Sequence, residues 1–205
     1  MKDNILEFYV NKFDYAESTE AVDISFIPPI MRRRLSKLDK CTLSVLNKTF
    51  TDDIQNIVFS SQYGEFERLI KIITQYTEDK EVSPNTFSGS VHNYPVGFFL
   101  LNNKKSVPYN AVASGRNSIS SGLLAAVISD YNNILYCYAD PNGDDFRAFA
   151  INISKNPLPQ SQKFRITTGN KDFDDNFDDY IKLFNKDKNI INTQLFAIES
   201  VGGND

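Results

Sequence analysis

Tryptophan is absent from the 205-residue sequence, histidine occurs once, as His92, and cysteine twice, as Cys41 and Cys137. Two distant cysteines without a CxxC pair, with a single imidazole, offer no ligand set for a metal, and no cofactor is expected. Long apolar runs are also missing. The longest, such as Val96 to Leu101 and Leu123 to Ile128, fall far short of the ~20 residues that cross a membrane as a helix. The N-terminal stretch MKDNILEFYVNKFDY carries a charge every few residues, so it does not read as a signal peptide, and the expected location is the cytoplasm. Basic residues are in deficit. The net charge of -4 argues against a nucleic-acid partner held by phosphate neutralisation over the whole surface.

What is present is apolar mass. With 41% hydrophobic residues, 16 phenylalanines and 10 tyrosines, the chain can bury roughly 70% of its unfolded surface without covalent staples. A single domain over residues 1–205 is expected. Hydrophobic periodicity places extended segments at ILEFYV and VDISFIPP, a helix from about Ile30 to Thr49, a strand at 56–61 and a turn at Gly64. The next helix carries Phe66, Leu69, Ile70, Ile73 and Tyr76 on one face. SPNTFSGSVHNYPVGFFLL at 83–101 reads as a loop feeding a helix that Pro95 kinks or delays. An extended SVPYNAVA at 106–113 precedes a small-residue helix at 114–129. Beyond it NILYCYAD, DFRAFAINIS, QKFRITT and QLFAIES read as strands, with an acidic amphipathic helix on Phe173, Phe177, Ile181 and Phe184 before the last. Alternating strands and helices followed by mainly strands predict an α/β fold, a mixed sheet with helices and a partly antiparallel end.

The sharpest functional signal is the strand-to-helix junction Asn110-Ala111-Val112-Ala113-Ser114-Gly115. A tight turn of this kind holds one side chain at a helix N-terminus, where the positive end of the dipole lowers a thiol's pKa and stabilises an oxyanion. The junction resembles the nucleophile elbow of the β-ketoacyl synthases, which commonly reads Thr-Ala-Cys-Ala-Ser-Gly. Val112 stands where that family has cysteine, and an isopropyl group cannot attack a thioester. IMRRRLSKLDKCTLSVLNK, NIVFSSQYGEFERL and SPNTFSGSVHNYPVG are similar to the family's arginine-rich helix, its following strand and glycine turn, and the segment before the elbow. The resemblance therefore covers roughly residues 28–150 in order and spacing. Within the family the sequence most resembles the short ketosynthase-like, chain-length-factor-like subunits of type II aryl-polyene pathways.

That resemblance implies the N-terminal half of a thiolase-type fold, with 151–205 as a strand-rich extension. It implies that the two catalytic histidines, which full-length ketosynthases take from a C-terminal half, are missing from a chain ending at Asp205. It also implies a heterodimer with a full-length β-ketoacyl synthase. In that pair the strand holding Ser106, Val107, Tyr109 and Asn110 would meet its partner across a two-fold axis, and Tyr94, Phe98 and Phe99 would line or bound an acyl tunnel. The shared substrate would be a carrier-protein-bound fatty or polyene acyl chain, extended by malonyl units. Asn93 matches a position commonly occupied by asparagine and suits a helix-capping or backbone-tying task. In the complete fold the helix after the elbow lies between two sheets, which accounts for its small Gly115, Ser118, Ser121, Gly122, Ala125 and Ala126. Here either the tail or a partner must cover it.

Other features keep their alternatives. His92 could act as a general base on Ser88 or Ser90, but no carboxylate stands near it in sequence, and a hydrogen-bonded structural role is the reading adopted. Arg32, Arg33, Arg34, Lys37 and Lys40 could dock an acidic acyl carrier protein, or form ion pairs within the protein or across a subunit interface. Asp172, Asp174, Asn176 and Asp178 alternate like a calcium loop, yet Phe177 stands where an EF-hand needs glycine and Leu183 where it needs glutamate, so the run reads as a solvated helix start. The expected function is a non-catalytic subunit that shapes a partner ketosynthase's tunnel. The alternatives are a free-standing acyl hydrolase or transferase using a serine such as Ser114, and a scaffold without acyl contact.

Overall fold

The computed structural model describes residues 5–20, 22–168 and 175–202. At its centre the period-two segments β4 (Asn133–Asn142) and β5 (Asp145–Ser154) form an antiparallel hairpin turned at Gly143, whose φ of 63° suits glycine. On one side β2 (Asn56–Ser60) runs parallel to β4, and β3 (Tyr109–Val112) runs parallel to β2. On the other, β1 (Leu6–Ala16) is antiparallel to β5 and to β6 (Gln162–Thr168). The antiparallel strands β8 (Phe196–Val201) and β7 (Ile190–Asn192) complete the order β3-β2-β4-β5-β1-β6-β8-β7 among the described residues. The sheet is mixed with an antiparallel end, as expected; the short β7 had no sequence signal.

Alternation along the central hairpin sends Ile134, Tyr136, Tyr138, Phe149, Ile151 and Ile153 to one face and Leu135, Cys137, Ala139, Ala148 and Ala150 to the other. The first face carries α6 (Ser118–Ile128) and α7 (Phe177–Phe184); the second carries α2 (Lys37–Thr49) and α5 (Tyr94–Asn102). Under α7, the Phe149 ring lies 5.6 Å from Phe177 and 6.0 Å from Tyr180. The tail adds strands to the sheet and lays α7 on the same face as α6. It leaves Ser121, Leu124 and Ala125 of α6 half-buried and Ile128 exposed.

Several expected elements are corrected. The helix expected from Ile30 to Thr49 is two, α1 (Pro29–Arg32) and α2, because Ser36 opens a new capping box: its hydroxyl accepts from Asp39 N–H at 3.0 Å, and the Asp39 carboxylate accepts from Ser36 N–H at 2.9 Å. VDISFIPP forms no strand; an Ile27 N–H to Ile24 carbonyl bond of 3.1 Å curls it so that Ile27 is buried. Pro95 sits in the first turn of α5, where its missing N–H costs no helical bond, and does not kink it. Ser106 and Val107 precede β3 rather than belonging to it. Phe173, Asp172 and Asp174 lie outside the described residues, and α7 starts at Phe177, capped by Asn176 Oδ1 accepting from Asp178 N–H at 2.9 Å. Among the described residues no helix is long and apolar enough to cross a membrane.

Gly122 marks the closest approach of α6 to the sheet. A Cβ there would lie 2.6 Å from the Ser60 side chain and 2.7 Å from Tyr136. Alanine would gain ~1 kcal/mol of helix propensity, but contacts this short force α6 off the sheet at a cost of roughly 1–3 kcal/mol or more. Gly122→Ala is expected to lower the melting temperature by several degrees in a thermal scan; an unchanged or raised value would show that α6 has room to move.

Candidate functional site

The elbow forms where β3 ends. Ser61 N–H donates to the Val112 carbonyl at 3.2 Å, after which the chain turns through Ser114 into Gly115, whose φ is 54°. A 3-10 turn at Gly115–Asn117 delays α6 to Ser118, later than the expected start at Ser114. Ser118 Oγ locks the turn, donating to the Gly115 carbonyl at 2.7 Å and accepting from Ser114 N–H at 3.0 Å. Val112 is half-buried against the α6 side of the core. Ala113 and Ser114 are exposed, and the Ser114 hydroxyl bonds to no base among the described residues.

The start of α6 is already occupied by the chain's own carboxylate. Asp175 Oδ2 accepts from Ser120 N–H at 2.7 Å, and Oδ1 accepts from the Tyr180 hydroxyl at 3.2 Å. Burial raises the Asp175 pKa, and the Ser120 and Tyr180 bonds oppose it. The adjoining cavity of about 200 Å³ is lined by Gln62, Arg116, Ser118, Tyr138, Arg147 and Asp175 among others. It is smaller than the ~300–1,000 Å³ of ordinary small-molecule pockets and too polar to receive a long acyl chain. Asp175 lies inside the acidic stretch that reads as a solvated helix start, and its partner Ser120 is 55 residues away, so no local signal marks it.

A second polar cluster follows the turn after β2. Arg68, on α3 (Phe66–Asp79), reaches Asp39 Oδ2 at 2.5 Å and Glu65 Oε2 at 3.3 Å, and donates to the carbonyls of Gly89 at 2.6 Å and Arg34 at 2.9 Å. The Ser36 hydroxyl donates to Glu65 Oε1 at 2.7 Å. One guanidinium thus serves two buried carboxylates, and they share a proton more cheaply than both ionise. Burial, then the Asp39 charge, pushes Glu65 up to about 8, and burial also raises Asp39. The guanidinium stacks 4.9 Å from the Tyr94 ring centroid, and Tyr94 packs on Phe98 at 5.9 Å. Gly89 must lack a side chain, since a Cβ would fall 2.0 Å from Arg68 Nη1. The cluster therefore pins α3 and the segment between α4 (Pro84–Ser88) and α5. Ser36-x-x-Asp39 was a readable capping signal for half of it.

The other singled-out residues separate. Tyr94 and Phe98 are half-buried, whereas Phe99 is 1% exposed and packs against Phe50 at 5.4 Å, so it belongs to the core and not to an open wall. Val107 is half-buried on that core and Ser106 exposed. His92 packs edge-on to Phe59 at 5.5 Å, beside Gly64 and the Val112 carbonyl; its Nε2 is buried without a partner, and burial lowers its pKa. Ser88 and Ser90 donate to the Asn85 and Phe87 carbonyls and not to His92. Asn93 takes the N-cap position of α5, but its side chain makes no capping bond. Among the basic residues, Arg32 is tied to the Ile27 and Ser25 carbonyls and Lys37 to the Asp144 carbonyl; Arg33 and Arg34 stand exposed without an ion pair among the described residues. Tyr109, Asn110 and Ala111 are exposed along β3, which among the described residues pairs on one side only.

The mixed α/β sheet, with helices on both faces and an edge strand turning tightly into a small-residue helix, is of the thiolase-like class of folds. The chain belongs to the β-ketoacyl synthase family, whose N-terminal domain matches residues 9–178. It is similar to a structure of the ketosynthase ApeO in complex with its chain length factor ApeC from Xenorhabdus doucetiae, with a TM-score of 0.71 and 17% identity over 95% of this chain and 99% of that one. It also resembles the ishigamide ketosynthase/chain length factor, at TM-score 0.56 and 13% identity over 72% of this chain and 51% of that one. A β-ketoacyl synthase from Burkholderia phymatum STM815 gives TM-score 0.50 and 12% identity over 66% of this chain and 46% of that one. The chain thus covers about half the length of the last two. No curated protein sequence matches it.

Proposed function

We propose that this chain acts as a single folded unit, a non-catalytic chain-length-factor-like subunit that pairs with a full-length β-ketoacyl synthase along β3. It helps bound the tunnel in which that partner extends a carrier-protein-bound acyl chain of the fatty or aryl-polyene type. The observation that carries this reading is the elbow itself, with Val112 at the nucleophile's position and Asp175 on the helix start that would otherwise stabilise an oxyanion. Tyr94, stacked under Arg68, and Phe98, packed on Tyr94, are the aromatic candidates for the tunnel wall. Arg33 and Arg34, exposed and without an ion pair among the described residues, are candidate contacts for an acidic carrier protein. The exposed Ser114 without a base does not favour a hydrolase.

Reconstitution tests the reading. The isolated chain, incubated with acyl and malonyl carrier-protein thioesters, is expected to show no covalent adduct by mass spectrometry and no condensation, and Val112→Cys alone is expected not to restore it. Added to its ketosynthase it is expected to set product length, with Phe98→Ala shifting the distribution. A stable acyl adduct on this chain would overturn the non-catalytic role, and an unchanged distribution would remove Phe98 from the tunnel.

A further inference from the structure

Helix α3 is held at its start and little elsewhere. Of its described side chains only Arg68 is buried, while Phe66, Leu69, Ile70, Ile73 and Tyr76 are between 45% and 56% exposed. Their spacing is that of a helix face meant to be covered, yet none of the described residues covers it. Tyr63, Phe87 and Val91 are exposed as well, at 55%, 64% and 47%. Eight large side chains open to this degree leave on the order of 100 Å² each. Together that is roughly 800 Å² of exposed side chain on and around α3, close to what one side of a stable interface buries.

This surface adjoins the open edge of β3. Val112 bonds Ser61 at 3.2 Å and faces His92; Gly64 lies against His92, with Tyr63 and Val91 as the next residues on either strand of chain, and α3 follows directly. A four-residue edge spans only ~13 Å and cannot by itself bury what a stable pair requires. Apart from the internally paired Arg68, the charges along α3 balance, Glu67 and Glu78 against Lys71 and the Lys80 that lies over the Tyr76 ring, so the face offers an acidic carrier protein no basic surplus and is marked by its apolar area. We infer that the exposed face of α3, with Tyr63, Phe87 and Val91, is the second half of the docking surface for the ketosynthase that pairs with β3. This rests on the heterodimer proposed above and adds where most of its apolar contact lies.

The test is co-expression and affinity measurement with each full-length β-ketoacyl synthase of the source organism, using wild type, Ile70→Glu/Ile73→Glu and Ala111→Pro. Because Ile70 and Ile73 are exposed, the double variant is expected to keep the wild-type melting temperature and to lose at least ~100-fold in affinity. Hydrogen exchange on the wild-type complex is expected to show new amide protection across α3, a readout independent of whether any variant folds. If Ala111→Pro breaks the complex while the double variant binds normally and α3 gains no protection, the α3 assignment falls and the heterodimer stands. If no ketosynthase binds wild type, both fall. A self-dimer of this chain that the double variant dissolves, with ketosynthase binding untouched, assigns the face to a second copy and also overturns the inference.

Discussion

Ala111→Pro is expected to dissolve the complex with the ketosynthase while leaving the fold of this chain nearly intact. The Pro108 and Val112 carbonyls accept from Ile57 and Ser61 N–H at 3.0 and 3.2 Å, so the even-numbered residues of β3 face β2. In a parallel ladder the odd-numbered Tyr109 and Ala111 then turn their N–H and carbonyl groups outward. Proline at 111 deletes an outward donor and no bond to β2, which is the setting in which an edge strand tolerates it. Binding is expected to weaken at least ~100-fold by calorimetry, with the melting temperature shifted by only a few degrees. Asn110→Pro is the contrast: it removes an inward N–H, and both stability and binding are expected to suffer. Equal affinity for wild type and Ala111→Pro would move the interface away from β3.

Arg68→Met is expected to cost about 3–5 kcal/mol at neutral pH, because it leaves the negative charge of the proton-sharing Asp39–Glu65 pair in the interior without the guanidinium that balances it. The same cluster imposes a pH dependence on the wild type. Glu65 has a folded pKa of about 8 against an ordinary value of 4.5. A carboxyl whose folded pKa is raised contributes fully below its unfolded pKa, and that contribution is lost as pH rises through the window from 4.5 to about 8. Asp39, raised by burial, acts in the same direction. Glu65→Gln mimics the protonated acid, so it is expected to match wild type near pH 4.5 and to become progressively more stable than wild type up to about pH 8. Denaturant melts of the two proteins across that range measure the difference. A constant gap between them would mean that Glu65 ionises normally, and would return the proton to Asp39 or to solvent.

Much of the fold was legible because its signals are local. The alternation in NILYCYAD and DFRAFAINIS names both faces of the central hairpin, and the small residues from Ser118 to Ala126 announce a helix pressed closely onto a sheet. The elbow was readable for the same reason: Val112 and Gly115 occupy fixed places in one short turn. What periodicity could not supply was the identity of the surface each stripe meets. The apolar face of α3 has the pattern of a core helix and stands in solvent, while Phe99, equally apolar, is buried against Phe50. A stripe reports that burial is favourable, not whether this chain or another provides the cover.

The sequence by itself determined where most of the strands and helices form and that an isopropyl side chain, Val112, stands in the strand-to-helix turn. Tertiary structure alone decided the rest. It joined Asp39, Glu65 and Arg68 from separate segments into one buried cluster, carried Asp175 across 55 residues of sequence to Ser120, and left β3 at the rim of the sheet. Each of these depends on pairings between distant residues, whose closing cost and desolvation are settled only when the whole chain packs.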